Sequence, residues 1–169
     1  METKVIETDL SESTGLFNFA ETFPMNARFG HAGIVVRDLD SQIEFYTRIF
    51  GLEVETRFSR EGSFIDNVTG LERASLDIAI LGNEDRPSTI ELLQYISHPD
   101  HSPARPANGA YCSHVMFVVD DIDAAWREVI DAGGQPFSEP QLAPAGDKSV
   151  FYFRDPEGVI LELVAYHDE

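Results

Sequence analysis

The sequence predicts an α+β fold built from two tandem βαβββ modules, and two observations lead to this prediction. The chain repeats itself: HAGIVVRDLD at residues 31–40 returns as HVMFVVDDID at residues 114–123, and IELLQY at residues 90–95 returns as LELVAY at residues 161–166. Each copy also passes from a short apolar run to an amphipathic segment and then to extended segments. That order is typical of a strand, a helix and further strands.

The repeat divides the chain into four segments. Residues 1–28 are predicted to form an arm outside the core, because their first 24 residues carry one base against five acids and show no clear period. Residues 29–97 form the first predicted module and residues 111–169 the second. The proline-rich residues 98–110 between them are predicted to be a linker.

In the first module, the β-branched run Ile34–Val36 predicts a strand, and Asp40 is the expected N-cap of the helix that follows it. Gly51 is expected to end this helix in a left-handed conformation. Further strands are predicted at residues 52–58, 76–81 and 89–95. Residues 62–73 have no counterpart in the second copy, so we expect an inserted loop or short helix. It either lies over a cleft or is an ordinary polar surface segment, and its polarity fits both.

The second module repeats this plan. Residues 115–119 predict a strand, Asp123 is the expected N-cap, and Gly133 and Gly134 are expected to end the helix. Asp-Pro-Glu-Gly at residues 155–158 predicts a tight turn, because proline fixes φ at its second position and glycine accepts a positive φ at its fourth. Further strands are predicted at residues 135–137, 150–154 and 159–166.

The charge of the chain restricts its partners. With 12 Lys and Arg against 30 Asp and Glu, the formal net charge is −18, which predicts no nucleic-acid partner. No apolar run approaches the length of a membrane span and no signal-peptide pattern is present, so we expect a cytoplasmic protein without a membrane partner. The single cysteine excludes an intrachain disulfide and a Cys zinc cluster, so any metal must be held by His and carboxylates.

Histidines and glutamates that could bind a metal stand at matching positions of the two copies. His31 and His114 open the copies, and Glu91 and Glu162 stand in their closing apolar strands. A carboxylate in an apolar strand is costly unless it is paired or binds a metal, and two imidazoles with two carboxylates suit zinc, nickel, cobalt, manganese or iron(II). A single strand histidine is more often a hydrogen-bonded core residue, so the prediction depends on the coincidence of all four with the repeat.

Beyond this pattern, the sequence resembles the vicinal oxygen chelate superfamily, which includes glyoxalase I, methylmalonyl-CoA epimerase, extradiol dioxygenases, fosfomycin-resistance enzymes and bleomycin-binding proteins. The resemblance rests on FGHAGIVVRDLD at residues 29–40, on Phe45-Tyr46 and Phe50-Gly51-Leu52, and on FRDPEGVILEL at residues 153–163. It implies that the sheets of two βαβββ modules curl into a half-open barrel around one divalent metal ion, with His31, Glu91, His114 and Glu162 as the ligands. An acid at position 91 favours the isomerase and lyase branches.

The function this implies is a metal-dependent isomerase, epimerase or lyase of the glyoxalase I type. Its small-molecule substrate chelates the metal through vicinal oxygens and reacts through an enediolate-like intermediate, with Glu162 and Glu91 as the catalytic proton carriers. Two alternatives stay open: an iron(II) extradiol dioxygenase, in which Glu91 is a bystander, and a non-catalytic protein that binds a drug or metabolite. Members of the superfamily pair their modules within one chain or between two, and we expect a homodimer.

Overall fold

The computed structural model describes residues 29–84, 90–110 and 112–167, so the predicted arm at residues 1–28 lies outside the described residues. The first module contains β1 (Ala32–Val36), α1 (Leu39–Phe50), β2 (Glu53–Glu61), α2 (Ser63–Thr69), β3 (Ser75–Gly82) and β4 (Ile90–Tyr95). The second module contains β5 (Val115–Val118), α3 (Ile122–Asp131), β6 (Gln135–Pro136), β7 (Gln141–Leu142), β8 (Lys148–Arg154) and β9 (Ile160–Tyr166).

The strands form two mixed sheets, one in each module. The first has the order β1-β4-β3-β2, and the second has the order β5-β9-β8-β6 with the short β7 also paired to β8. In both sheets the first strand runs parallel to the last strand of its module, and the other pairs are antiparallel. The described strands close no barrel, and the predicted α+β class with two βαβββ-like modules is confirmed.

The caps of the two long helices differ from the prediction. Asp38 caps α1 by accepting a hydrogen bond from the backbone N–H of Ser41, and Asp121 caps α3 in the same way. The prediction of Asp40 and Asp123 is therefore wrong by two residues. The cap is the residue that still has extended backbone, and at Asp38 φ and ψ are −130° and 99°, whereas Asp40 already lies in the first helical turn.

One hydrophobic core serves both modules. The helix-bearing faces of the two sheets pack on each other, and α1 of the first module packs two rings against the second: Phe50 stacks on Phe117 with centroids 3.9 Å apart, and Phe45 lies 6.4 Å from Phe153. The modules are thus packed back to back. The opposite face of each sheet points away from this shared core.

Two carboxylates of the predicted turn at residues 155–158 fasten the modules together. Asp155 is buried and accepts a hydrogen bond from the hydroxyl of Tyr46, which lies in α1, at 3.2 Å. Glu157 accepts hydrogen bonds from the backbone N–H groups of Arg37 and Asp38 at 2.6 and 2.7 Å. The turn of the second module therefore holds the residues at which α1 of the first module begins.

The insertion at residues 62–73 contains a helix, as expected. Helix α2 packs through Ile65 on a second apolar cluster that includes Ala74, Leu76 and Ile78. This cluster lies on the face of the first sheet opposite the shared core. None of the described helices is long and apolar enough to cross a membrane.

Candidate metal-binding half-sites

The first His–Glu pair lies on the outward face of the first sheet. Along β1, Ile34 and Val36 are buried in the shared core, so Gly33, Val35 and the preceding His31 belong to the other face. Glu91 of β4 reaches the same face, and its Oε2 lies 3.1 Å from Nε2 of His31. The side chains are 42% and 21% exposed, so a dissolved ion can reach both.

The second pair repeats this geometry in the other sheet. His114 precedes β5, Glu162 lies in β9, and His114 Nε2 is 3.0 Å from Glu162 Oε2. Tyr152 of β8 stands opposite Glu162, and its hydroxyl lies 3.4 Å from His114 Nε2. Partial burial, and then the negative charge of Glu162, raise the pKa of Tyr152, so its hydroxyl keeps its proton at neutral pH.

A single chain does not bring the four residues together. Among the described residues, no three His, Cys, Asp or Glu side chains lie close enough to hold one metal ion. The expectation of four ligands around one ion is therefore not met within one chain. Residues beside the two pairs do meet, since Gly33 of the first module and His114 of the second line one cavity of about 480 Å³. Each sheet carries half of the expected ligand set.

The pairs nonetheless fit the divalent ion that the resemblance implies. Two ligands that meet an ion at right angles, each about 2.1 Å from it, lie about 3.0 Å apart, close to the separations of 3.1 and 3.0 Å seen here. At Gly33, a Cβ would lie 3.7 Å from Glu91 Oε2, so the glycine leaves the approach to this carboxylate open. Imidazole nitrogen with carboxylate oxygen also suits a borderline divalent metal.

A cavity of about 430 Å³ opens beside the first pair. Helix α2 forms one wall and the outward face of the first sheet the other, with Glu91 among the lining residues. The second sheet has no helix in the corresponding place among the described residues. The expectation that the insertion lies over a cleft is thus met, next to a candidate ligand.

Sequence reasoning missed Tyr152, although a signal for it was present. Phe151 and Phe153 are buried in the shared core, so Tyr152 between them must face outward, on the strand next to Glu162. The alternation in β8 together with the strand order identifies this residue. His98 and His101, which the sequence leaves as loop residues, are exposed in the linker.

Comparison with known proteins agrees with this architecture. Residues 28–163 match the family model described as the Glyoxalase/Bleomycin resistance protein/Dioxygenase superfamily. A glyoxalase family protein of Bacillus cereus, known from a crystal structure, superposes with a TM-score of 0.76 at 28% identity, over 85% of this chain and 97% of that one.

Two curated relatives carry the names of enzymes. A probable lactoylglutathione lyase of Vibrio cholerae is 28% identical over 139 residues, which are 82% of this chain and 91% of the relative. A 2-epi-5-epi-valiolone epimerase of an Actinomyces species is 30% identical over 144 residues, 79% of this chain and 76% of the relative. The two names describe different reactions, so similarity at this level does not select a substrate.

Proposed function

The chain belongs to the glyoxalase/bleomycin resistance protein/dioxygenase superfamily, and on this premise we propose that it is a metal-dependent isomerase, epimerase or lyase of the glyoxalase I type. Its substrate is a small molecule that offers two adjacent oxygens. One observation carries the proposal: a His–Glu pair with the same spacing occurs at equivalent places in both modules, 3.1 Å apart in one and 3.0 Å in the other.

His31, Glu91, His114 and Glu162 would hold one divalent ion, which is zinc, nickel, cobalt, manganese or iron(II). When bound, such an ion supplies a Lewis acid that stabilises negative charge on a substrate oxygen. The protein itself supplies the proton acceptors. Glu162 takes the proton from the carbon beside the carbonyl and Glu91 stands on the other face of the substrate, so the proton can return on either side.

Tyr152 adds a hydrogen-bond donor to this arrangement. The hydroxyl lies beside His114, 3.4 Å from its Nε2. Once the imidazole nitrogen is engaged elsewhere, the hydroxyl is free to donate to a substrate oxygen. A donor placed there stabilises a negatively charged substrate oxygen more than a neutral one.

We propose further that two chains share each site. Each module presents one His–Glu pair on its outward face, and among the described residues no third His, Cys, Asp or Glu joins either pair. Apolar side chains beside the pairs are left uncovered: Val35, Met116 and Val118 are 56%, 43% and 54% exposed. In a homodimer, the first module of one chain can face the second module of the other, which completes two equivalent sites and covers these side chains.

The contact between His31 and Glu91 favours this function over an extradiol dioxygenase. In that alternative Glu91 is a bystander, and only two histidines and Glu162 bind iron. Glu91 instead stands to His31 as Glu162 stands to His114, at nearly the same distance.

Metal content tests the proposal directly. The protein is stripped with a chelator, dialysed and titrated calorimetrically with Zn²⁺, Ni²⁺, Co²⁺, Mn²⁺ and, in the absence of oxygen, Fe²⁺. We expect one tightly bound ion per chain and the formation of lactoylglutathione from methylglyoxal and glutathione, or the epimerisation of a cyclic hydroxyketone, only after reloading. A chain that binds none of these ions contradicts the proposal.

Mixing two variants tests whether the site is shared. Glu91→Gln and Glu162→Gln each damage both sites of a pure dimer. In a mixed dimer, however, one site collects both substitutions and the other is intact, so an equal mixture after subunit exchange should recover about a quarter of the wild-type activity. Mixed dimers without recovery would show that the site lies within one chain or is formed differently.

A further inference from the structure

The cavity beside Glu91 has the composition of a binding site for an apolar group. Its lining includes Phe58, Phe64, Ile65, Leu93 and Tyr95, and its volume of about 430 Å³ lies in the range of small-molecule sites. Phe64 and Val68 of α2 are 68% and 66% exposed at its entrance. Apolar side chains at an open entrance favour entry of an apolar part of a ligand.

One cation lines this cavity. The guanidinium carbon of Arg60 lies 4.1 Å from the centroid of the Phe58 ring, and its Nη1 donates to the carbonyl of Ser59 at 3.1 Å. Arg48 and Arg57 form ion pairs with Glu128 and Asp40, whereas Arg60 forms none with another described residue. In a chain with a net charge of −18, an arginine that lies over a ring and forms no ion pair with another described residue offers its positive charge to an anionic ligand.

The strand register places Arg60 and Glu91 at opposite ends of the cavity. Arg60 of β2 stands opposite Leu76 of β3, which stands opposite Tyr95 of β4. Tyr95 lies four residues beyond Glu91 on the same strand, about 13 Å at the usual rise. The guanidinium folds back over Phe58, which the register sets level with Leu93, two residues from Glu91. With two strand spacings of about 5 Å across the sheet, the gap between the two charges is roughly 12 Å, and apolar side chains line it.

We infer that the substrate carries an apolar arm that ends in a carboxylate, that the arm fills the cavity under α2, and that Arg60 binds the carboxylate. This inference rests on the proposed function, which places the reacting oxygens at Glu91. The negative charge of Glu91 repels a carboxylate from that end, so the two charges fix the direction in which the substrate enters. A single guanidinium matches one planar carboxylate in a bidentate contact.

The experiment uses phenylbutyrate and phenylbutanol, which share the apolar arm and differ in the terminal group. Binding to the metal-free full chain is measured by calorimetry. Wild type should bind the carboxylate about tenfold or more tightly than the alcohol. Arg60→Gln should abolish this preference and leave the alcohol affinity unchanged, whereas Arg127→Gln, on the exposed surface of α3, should preserve it.

Methyl NMR locates the binding. Addition of phenylbutyrate should shift the methyl signals of Ile65, Val68 and Ile78, which line the cavity, and not that of Ile130 on α3. Equal affinity for the two probes, an unchanged preference in Arg60→Gln, or shifts confined to other regions would each overturn the inference.

The result is independent of the metal. Neither probe carries vicinal oxygens and the protein is metal-free, so the carboxylate preference does not require the proposed reaction. If metal binds and the mixed dimers recover activity while no preference is found, the inference is wrong and the proposed function stands. A preference in a chain that binds no metal would leave the anion site intact and contradict the proposed function alone.

Discussion

The two half-sites share a His–Glu pair and differ in the residue beside it. In the first module the position opposite Glu91 on β3 is Ile80, whereas in the second the position opposite Glu162 on β8 is Tyr152. The first also has the cavity under α2, whereas His114 of the second lines a different cavity, of about 480 Å³, at the boundary with β1. The copies have thus kept the pair and diverged around it.

This difference indicates that the two modules have different roles in the proposed site. Under the proposed function, the apolar cavity of the first module holds the substrate, and the second module offers the Tyr152 hydroxyl next to Glu162. In the proposed dimer each site receives one module of each kind, from different chains. The substrate is then held by one chain while the second supplies the proton acceptor and the hydroxyl donor.

The largest effect is expected from Glu162→Gln. If Glu162 carries the proton, its loss should lower kcat by about a thousandfold, and the lost charge should also weaken metal binding. Steady-state kinetics at saturating metal, with calorimetric metal affinity beside it, separates the two effects. Near-normal kcat in a metal-loaded Glu162→Gln variant would exclude Glu162 as the proton acceptor.

Glu91→Gln is the matched substitution in the first module. Because Glu91 borders the cavity, we expect its loss to raise KM as well as lower kcat, with a smaller fall in kcat than for Glu162→Gln. Indistinguishable kinetics in the two variants would mean that the two modules do not have separate roles in substrate binding and proton transfer.

Tyr152→Phe removes the hydroxyl that distinguishes the second half-site. The ring of Tyr152, with its centroid 4.8 Å from that of His114, remains to position the imidazole. Loss of a hydrogen bond to a charged oxygen costs about 2 kcal/mol, or about 30-fold in kcat/KM, with metal stoichiometry unchanged. Tyr166→Phe, an exposed tyrosine on β9, is the control and should retain full activity.

Tyr46→Phe tests the contact that holds the two half-sites back to back. Tyr46 is fully buried, and removal of its hydroxyl leaves Oδ2 of Asp155 without this donor. We expect the free energy of unfolding to fall by about 1.5 kcal/mol, measured by urea denaturation. No loss of stability would show that the Tyr46–Asp155 hydrogen bond does not stabilise the packing of the modules, and would leave the Glu157 contacts as their link through this turn.

The same contact predicts a dependence on pH. Burial raises the pKa of Asp155, although three backbone N–H groups and Tyr46 lower it in part. The folded chain therefore keeps this proton to a higher pH than the unfolded chain does. The resulting contribution to stability is fully present below the ordinary pKa of aspartate and is lost as pH rises through the raised pKa.

Asp155→Asn should remove this dependence. The difference in urea midpoint between the variant and wild type, followed from about pH 4 to about pH 7, should change in favour of the variant as pH rises. A difference that is constant over this range would contradict the assignment of the titration to Asp155.

Much of this comparison could be predicted from the sequence, because the repeat aligns elements that obey local rules. The strand that places Glu162 between buried Leu161 and Leu163 follows from alternation, and the left-handed end of α1 follows from Gly51 with φ of 60°. The difference between the surroundings of the two His–Glu pairs was harder to predict from the sequence. Ile80 and Tyr152 become equivalent only when the strand register is known, and register depends on contacts between distant segments.

The direction in which the modules face each other could not be predicted. A repeat specifies two similar units and does not specify which of their faces meet. Phe50 on Phe117 and Tyr46 on Asp155 decide this, and neither contact has a sequence signal of its own. The four ligands were therefore predicted as a set, while their separation into two pairs required the structure.

The two N-caps give the smallest predicted effect and a control in which the modules should agree. Asp38→Ala and Asp121→Ala each remove one side-chain hydrogen bond, to the backbone N–H of Ser41 and of Ala124 at 3.0 and 2.9 Å. Each should lower the free energy of unfolding by about 1 kcal/mol. Equal losses by urea denaturation would show that the helices are equivalent supports and that the asymmetry is confined to the outward faces, whereas a much larger loss for Asp38→Ala would indicate that the Glu157 contact depends on this cap.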